Sequence, residues 1–287
     1  MGVEIKMIFL VSARLLTEVT MMTMVQTLDT DLQRSAGAIM LEIGNGGAVK
    51  RVREEGCAKL RMPSRRAGQP AEAIVINTSG GLAGGDCFEI NAQTTGDLCL
   101  TTQAAEKIYR SLGSETTVST ELRVLAGAKM YWLPQEAILF EGARLKRSLD
   151  ISLHKSASLL AAEIVVLGRK AMGESLANFT FVDRWRIRRD ERLIYADDLR
   201  LDPVRLGGRA ALSGARAFAT ILLVGSKAES FLEPLREIIG ENGGVSAWDG
   251  KLVARLVGVD GFDLRKTLIP ALKLLAAPSE LPKVWTL

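Results

Sequence analysis

The sequence predicts a mainly β protein with a small C-terminal α/β portion that carries two helices. Three observations predict it. Short runs with period-two apolar alternation recur along the chain, which is the spacing of a strand with one buried face. Gly and Pro turns separate them. Helical spacing is confident in only two segments, both beyond residue 215, and no strand–helix–strand alternation precedes them.

Taken in order, Ala38 to Leu60 reads as strands: Ile39, Leu41 and Ile43 alternate, a glycine turn follows at Gly44–Gly47, and Val49–Arg53 pairs back as a hairpin. Arg61–Pro70 is a loop, and Ala73–Ile76 a short apolar strand that runs into the glycine-rich stretch Asn77–Asp86. Cys87–Ala92 places Phe88 and Ile90 on one face, and Leu98 and Leu100 continue after the Gly96–Asp97 turn. Thr116–Leu125 sets Val118, Thr120, Leu122 and Val124 against Thr117, Ser119, Glu121 and Arg123, a half-buried strand. Met130–Leu133 is a strand ended by Pro134, and Leu149, Ile151 and Leu153 alternate again.

Leu159–Leu167 is apolar apart from Glu163. It suits a buried strand or a short buried helix, and the flanking strands favour the strand. Trp185 and Ile187 alternate with Arg184, Arg186 and Arg188, and Leu193–Tyr195 pairs back across Asp190–Glu191. Ala217–Val224 is an apolar strand. Lys227–Ile239 has helical spacing, with Ser226 as N-cap and Gly240 as the stop. Val245–Trp248 and Leu252–Val257 flank a turn at Asp249–Gly250. Asp263–Leu275 is the second helix, bent or restarted at Pro270.

Composition narrows the function classes. Of 287 residues, 47% are hydrophobic and 24% charged, a globular balance. A net charge of +4, with acidic residues interleaved among the arginines of 184–209, describes a mixed, solvated surface rather than a nucleic-acid footprint. A single histidine, His154, excludes every His-pair metal motif. Three cysteines without zinc spacing suit buried thiols in a reducing compartment. No segment has the length of a membrane span, and the expectation is a cytoplasmic protein. The apolar, Met-rich start is expected to be an extension over 1–34, outside a single domain over 35–287, divided into a β-rich core, 35–214, and a C-terminal part, 215–287. Mean hydropathy of +0.15 suggests exposed apolar surface at an interface.

The densest polar stretch is Asn77–Arg110. Gly80, Gly81, Gly84 and Gly85 follow a strand but precede another strand, with no Lys-Ser or Lys-Thr, so the loop is neither a Walker A loop nor a dinucleotide fingerprint. It reads as a turn where backbones approach closely. Asp86 beside it is placed to cap free N–H groups, with metal passage or partner contact as the functional alternative. Thr101, Thr102 and Gln103 open the idea of a hydrolase or transferase, with Lys107 as base and Asp86 nearby; Thr101 lacks the free α-amine of N-terminal threonine hydrolases. His154 reads as a satisfied histidine. In Gly168–Glu174, Arg169 and Glu174 are expected to pair.

Four stretches, NTSGGLAGGD (77–86), TTQAAEKIYR (101–110), WLPQEAILFEGA (132–143) and GRKAMGE (168–174), in this order and spacing resemble the urease accessory protein UreD, or UreH, family. The resemblance runs from about Ala38 to Leu201. It implies a β-helix-like stack of sheets and a non-enzymatic maturation factor. Such a factor binds urease apoprotein, assembles with UreF and the GTPase UreG, and passes nickel through an internal polar channel. Nickel would be bound only transiently, with no resident cofactor. Asp86 and Glu174 match the family's acidic motif positions and are the residues implied for nickel passage. Lys107, Tyr109, Arg169 and Gln135 lie at matching positions, with Thr101, Thr102, Gln103 and the four glycines, as a network that holds the polar wall. Glu106 is assigned no role.

Overall fold

In the computed structural model, residues 34–285 are described, apart from 170, 171, 175, 207–211 and 213. The chain from Ser35 onward forms one compact unit. Its strands are β1 (Ala36–Ile43), β2 (Val49–Gly56), β3 (Ala58–Arg61), β4 (Ala71–Asn77), β5 (Cys87–Thr94), β6 (Leu98–Thr102), β7 (Glu106–Ile108), β8 (Thr116–Val124), β9 (Lys129–Leu133) and β10 (Ala137–Leu139). There follow β11 (Arg144–Leu153), β12 (Ser158–Leu167), β13 (Thr180–Arg189), β14 (Arg192–Leu201), β15 (Ala217–Val224), β16 (Gly243–Trp248) and β17 (Lys251–Gly258).

Two sheets are built from them. One runs β14-β13-β11-β8-β5-β1-β2; the other runs β16-β17-β15-β12-β9-β6-β4-β3, with β7 and β10 paired beside β12. From β4 to β13 the chain passes back and forth between the sheets, and each strand pairs in parallel with one from the neighbouring coil: β5 with β8, β8 with β11, β11 with β13, and β4 with β6, β6 with β9, β9 with β12. This is the expected stack of sheets. The antiparallel hairpins read from the sequence, β1–β2, β13–β14 and β16–β17, lie at the ends of this coil.

Alternation along the strands generates two cores. Ile39, Leu41, Phe88, Ile90, Leu122 and Ile151 of the first sheet meet Leu98, Leu100, Met130 and Leu159 of the second. The opposite face of the second sheet, including Cys99, Tyr131, Leu160 and Ile164, packs against two helices. The central strand β12 is therefore covered on both faces, which is why its sequence is almost continuously apolar.

The helices are α1 (Leu232–Ile239) and α2 (Gly261–Ala276). Two expectations are corrected here. The segment from Lys227 is not one α-helix capped by Ser226: a 3₁₀ turn, Ala228–Phe231, precedes α1, with no side-chain cap on either. Pro234 is the physical reason. It has no N–H for the Ser230 carbonyl, and its ring fits best in a first turn, which suits an α-helix that begins at Leu232. The second helix begins earlier than Asp263 and is one helix through Pro270; Asp260 caps it by accepting from Asp263 N. A single helical turn, Pro203–Leu206, stands apart from the two helices that the sequence predicts. The arginine row of β13 is compensated: Arg184 meets Asp150 at 3.0 Å, Arg186 meets Asp198 at 2.7 Å, and Arg188 lies 3.5 Å from Asp150.

Leu268 on α2 is fully buried in the second core. Leu268→Ala is expected to destabilise the protein by about 2–5 kcal/mol, read as a lower urea midpoint with unchanged slope.

Candidate functional site

The glycine loop between β4 and β5 is sewn to β7. Leu82 N donates to Lys107 O at 2.8 Å, and Tyr109 N donates to Leu82 O at 2.7 Å. Such contact needs bare backbone. A Cβ on Gly81, whose φ is +147°, would lie 2.7 Å from Lys107 O and collide with the Tyr109 ring. One on Gly84 would strike Ser111 and lie 2.5 Å from Ser114 O. Gly80 and Gly85 complete the turn with positive φ. The expected reading of the loop, a close approach of backbones, is what the structure contains.

Asp86 is buried at the end of this loop. Its Oδ1 accepts from Ser35 N at 2.8 Å and its Oδ2 from Ala83 N at 2.7 Å, while its own N–H donates to Ala83 O. It caps backbone, as a carboxylate in that position should, and among the described residues two of its roughly four acceptor sites remain open.

Beyond β7, Tyr109 packs edge-on to Phe140, with ring centroids 5.2 Å apart, and the Arg169 guanidinium covers the same ring at 4.5 Å. Arg169 and Glu174 pair as expected. Glu174 Oε1 accepts from Arg169 Nη2 (2.9 Å) and Glu141 N (3.1 Å), and Oε2 from Arg169 N (2.9 Å) and Nε (3.1 Å). All of the roughly four acceptor sites are engaged. The Arg169 guanidinium, with these backbone donors, holds the Glu174 carboxyl at about 2, well below the usual range. Tyr109, Arg169 and Glu174 thus form one wall.

Both threonine hydroxyls are engaged with backbone. Thr101 is fully buried and its hydroxyl donates to Leu133 O at 2.6 Å. Thr102 Oγ1 accepts from Gln135 N at 2.9 Å. Lys107 and Gln103 are exposed. His154 Nδ1 is 2.8 Å from Ser156 Oγ. Among the described residues, no three His, Cys, Asp or Glu side chains cluster to hold a metal.

The structure also assembles what the sequence did not reveal. A cavity of about 60 Å³ lies between the sheets, lined by Thr102, Glu106, Trp132, Gln135, Arg147 and Glu163 among others. Arg147 of β11 donates to Asp183 of β13 at 3.1 and 2.7 Å, and its Nη2 lies 2.9 Å from Glu163 Oε2 of β12, across to the other sheet. Trp132 Nε1 donates to Glu163 Oε1 at 2.8 Å. Oε2 has the ion pair but no aligned hydrogen bond, and Gln135 Nε2 is buried with no partner. Arg265 takes the Gln135 Oε1 and Glu136.

Burial pushes the Glu163 carboxyl up to about 7, against the pull of Arg147. Burial also pulls the Arg147 guanidinium down, but Asp183 and Glu163 outweigh it and leave its pKa raised. Glu106, assigned no role above, is half-buried at the cavity; burial pushes it up to about 7 while the Asn77 amide, 3.0 and 3.2 Å away, pulls back. Two signals pointed here: Glu163 as the one charge in an apolar run, and Arg147 and Asp183 in phase with the apolar residues of their strands.

Removing the cation would leave two buried carboxylates without a counter-charge. Arg147→Met is expected to cost about 3–5 kcal/mol in urea unfolding at neutral pH. The carboxylates give opposite pH signatures. Glu106 and Glu163 keep their protons longer when folded, so their contribution is full below the ordinary 4.5 and is lost as pH rises through about 7. Glu174 contributes above 4.5 and loses that contribution as pH falls towards 2. In stability–pH profiles, Glu106→Gln with Glu163→Gln should flatten the first window and Glu174→Gln the second.

The comparisons with known proteins follow the same residues. The family model described as UreD urease accessory protein matches residues 35–286. The urease accessory protein UreD of Agrobacterium fabrum is 47% identical over 240 residues, covering 82% of this chain and 84% of that relative. That of Mesorhizobium japonicum is 43% identical over 267 residues, covering 89% and 95%. Urease accessory protein UreD 1 of Brucella abortus is 43% identical over 268 residues. With a match across nearly all described residues and relatives this similar over most of their length, the chain belongs to the UreD urease accessory protein family.

Proposed function

We propose that this chain is a non-enzymatic urease maturation factor. It binds urease apoprotein and, together with UreF and the GTPase UreG, hands nickel to the urease active site. Family membership supports the urease role. The observation that carries the nickel step is the cavity between the sheets, where the Glu106 and Glu163 carboxylates share the lining with the Arg147 guanidinium and Glu163 Oε2 has no aligned hydrogen bond.

A carrier has to release its cargo. A site of several His or thiolate ligands would hold nickel too long, whereas isolated carboxylates, carbonyls and water bind a divalent ion loosely. In this reading Glu106 and Glu163 touch the ion in the cavity, and Asp86 offers its two open acceptor sites near the glycine loop. Glu174, with its acceptor sites engaged, serves passage by holding Arg169 and the Tyr109–Phe140 wall in place. The three free cysteines suit the cytoplasm as the setting.

The test is co-expression of urease with its accessory proteins and variants of this chain. Glu163→Gln, Glu106→Gln and Asp86→Asn should each retain UreF and apoprotein in pull-downs. Each should lower nickel per urease active site, measured by elemental analysis, by about tenfold, the lower range for loss of a metal-supporting group. Normal nickel content in all three, with intact complexes, would overturn the passage. Normal urease maturation without the chain would overturn the whole reading.

A further inference from the structure

The two hairpin tips at one end of the sheets carry charges that the nickel route does not use. The β13–β14 turn, Asp190–Glu191, and the β16–β17 turn, Asp249–Gly250, face one another across a cleft of about 550 Å³. Asp190, Glu191 and Asp249 have positive φ, as short hairpin turns require. The tips are in contact range: Arg189 Nη1 is 3.9 Å from the position a Cβ would take on Gly250.

Three cations line this cleft. Lys251 is only 4% exposed. Its amine has weak compensation, with Asp249 O at 3.4 Å, the Asp249 carboxylate at 3.9 Å and the Trp248 ring at 5.4 Å. Arg189 Nε is buried without a hydrogen-bond partner. Among the described residues, neither the Arg189 nor the Arg192 guanidinium has an ion-pair partner. The neighbouring carboxylates do not supply one. Asp190 accepts from Lys155 N at 2.9 Å, and Glu229 from Gly250 N at 2.8 Å. Asp249 stands out in solvent, 85% exposed, beside Lys251.

Lys251 and the Arg189 Nε are desolvated with weak or no compensation, which is costly, and an oxyanion held between them and the exposed Arg192 relieves that cost. Guanidinium forks match carboxylate and phosphate oxygens, and a cleft of this size leaves room for the group that bears them. We propose that Arg189, Arg192 and Lys251 form an oxyanion-binding site, for a phosphate or carboxylate group, with Trp248 as its apolar wall. The site lies apart from the inter-sheet cavity and stands or falls independently of the nickel reading.

Trp248 supplies the readout. It is 42% exposed, whereas Trp132, Trp185 and Trp285 are buried. In the full chain, inorganic phosphate and, separately, a hexa-aspartate peptide are titrated at constant ionic strength against chloride, and tryptophan emission is followed. A saturable change is expected that is absent in Trp248→Phe and at least about tenfold weaker in Arg189→Gln/Arg192→Gln, as loss of charge-assisted hydrogen bonds implies. Arg192→Gln alone, at an exposed position, keeps the test open if the double variant does not fold. Saturation by phosphate identifies a free oxyanion as a sufficient ligand; saturation by the peptide alone identifies an acidic segment of a protein. No saturable response to either, a response that only tracks ionic strength, or equal affinity in the arginine variants would overturn the site.

Discussion

Parallel register between strands one coil apart is the constraint on which the rest of this molecule depends. β5, β8, β11 and β13 stack in one sheet, and β4, β6, β9 and β12 in the other, each strand hydrogen-bonded to a segment some 30 residues away. Because side chains alternate, each register also decides which of them face the other sheet. A slip by one residue would expel Leu145, Leu149 and Ile151 and turn the polar side chains between them inward. The same register sets Arg147 opposite Asp183 and brings both under Glu163.

The buried charges are therefore a consequence of the stack and also a test of it. An ion cluster between sheets adds little net stability, since desolvation of each charge offsets most of the attraction. Its geometry is demanding, however. Trp132 holds Glu163, Trp185 Nε1 lies 3.3 Å from Asp183, and Arg147 binds both carboxylates. A strand pairing that separated these groups would leave charges alone in a low-dielectric interior. The polar interior is thus held by groups that both sheets contribute.

The outer wall works differently. The glycine loop, β7 and the Gly168–Glu174 turn meet through backbone contacts and the Tyr109–Phe140–Arg169–Glu174 sequence of rings and charges. Here glycine at 81 and 84 lets main chains touch, and Asp86 and Glu174 satisfy the N–H groups that such turns leave open. Sequence motifs that look like ligand loops are in this protein the means of closing a wall.

Much of this was legible in the residues. Period-two alternation located the strands, Gly and Asp turns located the hairpins, and the Arg169–Glu174 pair followed from its bracketing glycines. Local chemistry determines such features, because the interacting groups are neighbours in the chain. Pro234 shows that even a helix start misread at Ser226 has a local cause. The coil came only from the family resemblance and not from the spacing of the residues, since parallel partners are far apart and carry no turn between them. The site was not legible: Glu106 had no evident role, and Arg147, Glu163 and Asp183 sit on three separate strands. The sequence by itself determined the strands, the turns and the family. Only the tertiary structure decided which charges would be buried together, because that depends on register across two sheets.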